Sequence, residues 1–170
     1  MAETPKDSKM LISPAIEKQL QELVKIELTA SHIYHYLSMW CDTKGYFGAQ
    51  KWYLKQTEEE HEHAQKVMNY LTDREACAVM PVVPAVESSY ENIRQVLERT
   101  LQEELKVEKA WQTFAAACLK EGDLTSFTFA QWYLNEQIQE VATVNDFLAE
   151  LCMMGDTGIA YKFIDETMGK

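Results

Sequence analysis

Six side chains able to bind a metal interrupt apolar stripes in this chain. From Ile16 to Cys41 the apolar positions recur at alternating steps of four and three: Ile16, Leu20, Leu23, Ala30, Tyr34, Leu37 and Cys41. Glu27 takes the place of a hydrophobe among them. The same stepping through Ala49, Tyr53, Gln56, Val67 and Tyr70 includes Glu60 and His63. Through Ile93, Leu97, Thr100, Val107, Trp111, Phe114 and Cys118 it includes Glu104. A fourth stripe, Phe127, Ala130, Leu134, Val141, Val144, Leu148 and Leu151, takes in Gln137. Glu140, three residues further and one position off the stripe's centre, shares that face. Four carboxylates in an apolar interior are opposed by desolvation and by mutual repulsion, so the pattern asks for positive charge. Two divalent cations would neutralise four glutamates, and a carboxylate-rich set with a single imidazole suits iron or manganese better than a thiolate-type metal.

The elements that must position these groups follow from the punctuation. Residues Met1 to Ile12 read as a flexible arm, and the remainder, 13–170, as one domain. Ser13 and Pro14 start a helix that runs to about Thr43, where Lys44 and Gly45 stop it. A second helix, from near Phe47 to about Glu75, must be antiparallel to the first because the connection is so short. The segment ACAVMPVVPAVES is extended around Pro81 and Pro84, and Ser88 with Glu91 reads as a capping box opening a third helix that ends near Gly122. Asp123 caps a fourth helix to about Met154, and Gly155 and Gly158 break the chain before a short fifth helix ending near Met168. Helices of ~30 residues are ~45 Å long, and about 13 extended linker residues span ~45–50 Å, enough to run back along the bundle. The second and third helices are therefore parallel. The predicted fold is all-α, a four-helix bundle with one long crossover plus a short C-terminal helix. All six ligand-type residues lie near mid-helix, ~20 Å from either end, so they meet at one level.

Composition narrows the function classes. With 27 acidic against 16 basic residues the net charge is −11, which disfavours nucleic acid or an anionic membrane as partner and favours cations. No stretch approaches the ~18 apolar residues of a membrane span, and the N-terminus lacks the apolar run of a secretory signal. Cys41, Cys77, Cys118 and Cys152 form no C-x-x-C pair and read as buried free thiols, which predicts a reducing, cytoplasmic setting.

The motifs IELTASHIY, EEHEHAQ, TLQEE, FAQWYLNEQIQE and the terminal YKFID, in that order, resemble the bacterial non-haem ferritins, from Ser13 to Met168. The resemblance implies a 24-subunit homo-oligomeric shell that oxidises Fe(II) with O2 or H2O2 and stores ferric mineral. It implies two irons per subunit, one held by Glu27, Glu60 and His63 and the other by Glu60, Glu104 and Glu140, with Glu60 bridging. Gln137 would stand beside the pair or ligate weakly, and Tyr34 would hydrogen-bond at the centre and donate an electron. It also implies a third iron position at Glu59, Glu136, Gln139 and Glu140, where Gln139 replaces a glutamate and offers a weaker amide oxygen.

Haem is not expected. The haem-binding relatives have a methionine after the bridging glutamate and a second Glu-x-x-His on the fourth helix, and this chain has His61, and Gln137 followed by Glu140. Glu58 and His61 also make a Glu-x-x-His pair, but they lie ~100° or more from the stripe and face solvent. His32 and His35 read as packed or surface imidazoles, and the tryptophans and methionines as packing or subunit contacts. Two other readings stay open: a di-metal oxygen-activating enzyme that builds no cage, and a metal-free structural bundle.

Overall fold

The computed structural model describes residues 11–86 and 89–170. They form five helices: α1 Pro14–Lys44, α2 Phe47–Asp73, α3 Ile93–Glu121, α4 Leu124–Met154 and α5 Gly158–Met168. No strand occurs among the described residues.

The helix ends follow local chemistry. The Ser13 hydroxyl accepts the Ile16 N–H at 3.1 Å, with Pro14 in the first turn, and Gly45 closes α1 in the left-handed region at φ 80°. Asp123 caps α4 through the Ser126 N–H at 3.0 Å, and Thr157 caps α5 through the Ala160 N–H at 3.2 Å. The third helix opens four residues later than expected. Asn92, not Ser88, is its cap, accepting the Gln95 N–H at 3.2 Å, while the Gln95 amide oxygen accepts the Glu91 N–H at 2.9 Å. Asn92 thus takes the capping role expected of Ser88, while Gln95 reaches one residue further back, to the Glu91 N–H. Ser88 itself lies outside the described residues.

Long-range contacts fix the helix directions. Leu11 at the start of α1 bonds Arg74 at the end of α2, backbone N to O at 3.1 Å. The Ser13 hydroxyl donates to Glu121 at the end of α3 at 2.5 Å. Helix α1 is thus antiparallel to both α2 and α3, so α2 and α3 are parallel. Tyr53 and Thr100, near the starts of those two helices, share a hydrogen bond at 2.7 Å. Of the arm expected over 1–12, residues 1–10 lie outside the described residues. Leu11 and Ile12 are docked: Arg74 Nη2 donates to the Leu11 carbonyl at 2.7 Å, and Ile12 is buried in the core.

That core comes in two blocks. One joins Ile16, Leu20, Leu23 and Val24 to Val67, Leu71, Trp111, Phe114 and Tyr133. The other joins Tyr34, Leu37 and Cys41 to Tyr53, Ile93, Leu97, Leu151 and the inner side of α5. Buried polar side chains lie between them in sequence along each main helix: Glu27, Glu60, Glu104 and Gln137. Helix α5 is pinned by Asp165, whose carboxylate Oδ1 accepts the N–H groups of Gly48 and Ala49 at 2.7 and 3.0 Å, so the last helix caps the N-terminus of α2. Tyr46, the residue before α2, makes no side-chain cap of its own. At Gly48 a Cβ would lie 1.8 Å from the Asp165 carbonyl oxygen, so this approach requires glycine.

The expectation of four buried thiols is corrected. Cys41 and Cys118 are buried on their stripes, but Cys77 in the crossover and Cys152 in the last turn of α4 are exposed, since neither occupies a core-facing position.

Candidate metal centre

Each main helix brings one or two polar groups to the level between the core blocks, and their geometry divides them in two. The first group is Glu27, Glu60 and His63. One potential ligand atom from each lies within 4.8 Å of the others. Glu60 and His63 are a turn apart on α2, and His63 Nδ1 is 3.2 Å from Glu60 Oε2. Glu27 is fully buried on α1. Its Oε1 accepts the Trp111 indole N–H at 2.6 Å, its Oε2 is buried and receives no donor, and its carboxyl shares a hydrogen bond with Glu60 when one of the two is protonated.

The second group surrounds Glu104. Tyr34 donates its phenolic hydrogen to Glu104 Oε1, and Gln137 donates its amide to Glu104 Oε2 at 2.5 Å and to the Glu104 carbonyl at 3.1 Å. Tyr34, seven residues from Glu27 on one helical face, thus reaches the neighbouring carboxylate. Glu140 completes the set electrostatically: its charge acts on Glu60, and Glu104 acts on it.

Every one of these acids resists ionisation. Burial, then repulsion from Glu60, holds the Glu27 carboxyl well above its ordinary range, against a smaller opposing pull from His63 and the Trp111 N–H. Burial followed by Glu104 does the same to Glu60. Glu104 is raised by burial against the hydrogen bonds from Tyr34 and Gln137, and Glu140 is pushed up to about 7 by burial, then by Glu104 and Glu59. Tyr34 is likewise raised, by burial and then by Glu104. Four acids repel one another here with one imidazole among them, a set suited to hard divalent cations.

The remaining predicted positions are looser. Glu59 is half-buried, bonded by the Gln56 amide and paired with Lys55 at 3.2 Å, while Glu136 is half-buried and Gln139 exposed on α4. Glu59 and Glu136 both repel Glu140, which places negative charge beside the pair without assembling a compact donor cluster. Glu58, His61, His32 and His35 are exposed, as expected.

The stripe on α4 needs one correction. Its buried residues are Ser126, Ala130, Tyr133, Gln137, Val144 and Leu151, and this line passes through Glu140, which is therefore not off-centre. The expected line took Phe127 and Leu134, which are only half-buried, where Ser126 and Tyr133 pack inward. Two residues around the site were not singled out for it from sequence. Trp111, read as packing, bonds Glu27 directly, and Tyr133 stacks on Trp111 with ring centroids 3.6 Å apart and donates to the His63 carbonyl at 2.8 Å. The available signal was spacing: Trp111 follows Glu104 by seven residues on the same face.

Comparison with known proteins agrees with this architecture. A family model described as a ferritin-like domain matches residues 17–154. The chain is 28% identical over 159 residues to a probable bacterial non-heme ferritin-like protein of Haemophilus influenzae, covering 94% of this chain and 96% of that one. It is 26% identical to a bacterial non-heme ferritin of Staphylococcus aureus (strain MRSA252), with the same coverage. Its fold superposes with a TM-score of 0.89 on an open pore ferritin from the archaeon Archaeoglobus fulgidus, at 24% identity over 93% of this chain and 98% of that one.

Proposed function

The chain belongs to the ferritin-like domain family, and from that premise we propose that it is an iron-storage protein with ferroxidase activity. On this reading it oxidises Fe(II) with O2 or H2O2 and keeps the ferric product inside a shell of 24 copies in the cytoplasm, residues 13–170 forming the repeating unit. The observation that carries it is the convergence of Glu27, Glu60 and His63 donor atoms within 4.8 Å, in a bundle interior with no basic side chain in the set other than one imidazole. The names of the relatives, a bacterial non-heme ferritin and a probable non-heme ferritin-like protein, support iron as the cargo.

Two Fe(II) ions bring four positive charges to four glutamates, which removes the repulsion that raises their proton affinities. Glu27, Glu60 and His63 hold one iron, Glu60, Glu104 and Glu140 the other. Gln137 and Tyr34 hydrogen-bond the two oxygens of Glu104, and on this reading Tyr34 donates an electron. Carboxylate ligands favour Fe(III) over Fe(II) by charge, so the ligand set itself drives oxidation forward. A third iron position uses Glu59, Glu136, Gln139 and Glu140 at the rim. No haem is assigned. Among the described residues no helix is long and apolar enough to cross a membrane.

Light scattering combined with aerobic Fe(II) addition tests this. A particle near 24 times 19.6 kDa that keeps many ferric ions per chain in solution is expected. A small oligomer that oxidises about two irons per chain and precipitates the rest would instead mark a cage-less di-iron enzyme.

A further inference from the structure

Glu27 receives its hydrogen bond from a side chain that packing holds in place. Trp111 is fully buried on α3, stacked on Tyr133 of α4 at 3.6 Å and 9°, and met edge-on by Phe114 at 5.7 Å. Held between two helices, the indole cannot turn without opening that stack. Its N–H donates at 2.6 Å to Glu27 Oε1, a charge-assisted bond when the carboxylate is ionised. The other oxygen, Oε2, is buried and receives no hydrogen bond from a donor group; the Glu60 carboxyl is the neighbour, and two carboxylates can share a bond only while one of them is protonated. One oxygen is thus taken by the protein and the other is left for a cation.

We propose that Trp111 is a positioning residue that orients Glu27 as a one-oxygen ligand: its N–H holds Oε1, and Oε2, which no donor reaches, is the oxygen turned to the cation shared with Glu60 and His63. The inference rests on the proposed use of Glu27 as a ligand. Its consequence is an open coordination position. Binding through both oxygens would fill the place that an oxidant needs, and it would require the carboxylate to turn against the N–H bond that the packed indole holds on Oε1. Trp111 touches neither the metal nor the oxidant, so it acts through Glu27 alone.

Anaerobic titration with Co(II), followed by visible absorption, reads the coordination directly, because cobalt bands weaken as its coordination number rises. Trp111→Phe keeps a ring against Tyr133 and removes the N–H. The expected result is weaker absorption per bound Co(II), a loss of roughly 10–100-fold in Co(II) affinity, and a similar loss in Fe(II) oxidation rate. Phe114→Leu, which disturbs the same packing but keeps the N–H, should leave the absorption per bound Co(II) as in the wild type. Trp111→Tyr is read in the same way where the Phe variant fails to assemble. In the wild type, which requires no variant to fold, the Raman signature of the hydrogen-bonded indole should persist on Co(II) binding. A Trp111→Phe spectrum and affinity equal to wild type, or loss of the indole signature when Co(II) binds, would overturn the inference while leaving the metal centre intact. Failure of wild-type protein to bind Co(II) would sink the metal reading itself, and the inference with it.

Discussion

The carboxylate of Asp165 and those of Glu27, Glu60 and Glu104 at the level between the core blocks are all almost completely buried, and the fold treats them in opposite ways. Asp165, 1% exposed, is met by protein donors: the Gly48 and Ala49 N–H groups at the start of α2, and Lys162 at 3.0 Å. Glu27 and Glu60, equally buried, lean on each other, and one oxygen of Glu27 receives no hydrogen bond from a donor group, while Glu104 beside them is held by Tyr34 and Gln137. Glu103 on α3 sides with Asp165, since Arg99 and Lys106 both reach it at 2.7 Å. A buried acid supplied with fixed donors holds structure together, as Asp165 ties α5 to α2. A cluster of buried acids short of donors destabilises the empty fold and is retained for what it binds.

The comparison can be broken most forcefully at Glu60. Replacing it with alanine should slow rapid Fe(II) oxidation by more than about 100-fold in stopped-flow absorbance, with assembly intact by size-exclusion chromatography, because a ligand shared by both irons is lost. Wild-type rates would place Glu60 outside the centre. Asp165→Ala should do the reverse. It strips a helix N-terminus of its charged acceptor, costing about 2–3 kcal/mol, or roughly 5–10 °C in apparent Tm, with little change in the oxidation rate of the protein that stays folded. Equal melting temperatures would mean that α5 is held by its apolar contacts alone.

Charge at the centre should also reverse the usual response to pH. Glu140 has a proton affinity raised to about 7 from an ordinary 4.5, and burial raises Glu27, Glu60 and Glu104 as well. The folded chain therefore binds more protons than the unfolded chain between those limits, so metal-free stability must fall as pH rises from about 4.5 through about 7. Calorimetry of metal-free protein should show Tm decreasing by several degrees across that window. Saturating Zn(II) should cancel the decrease and add about 2.7 kcal/mol at one hundred times its Kd. A metal-free Tm that climbs with pH would remove the acid cluster as a source of instability. The smallest effect is expected at Gln139. Restoring a glutamate there should raise the number of Fe(II) ions bound per chain, or change how fast oxidised iron leaves the pair, and identical stoichiometry and turnover would argue against a third position at the rim.

Much of this was legible in the residues themselves. The four-and-three stepping located Glu27, Glu60, His63, Glu104 and Gln137 on inward faces, because helical period and apolar spacing are local properties. Ser13, Gly45, Asp123 and the length of the crossover likewise set the helix ends and the one-crossover topology within a few residues, since capping chemistry and chain reach need no partner helix. Where several local signals competed, local reading failed: Asn92 displaced Ser88 as a cap, and Tyr133 rather than the adjacent Leu134 faces inward on α4. What only the tertiary structure decided is how the groups meet across helices. Trp111 reaches Glu27 from 84 positions away, Tyr34 reaches Glu104 and not Glu27, and Asp165 finds the start of α2. Those pairings depend on the rotation and height of each packed helix, which side-chain interdigitation sets and no single stripe encodes.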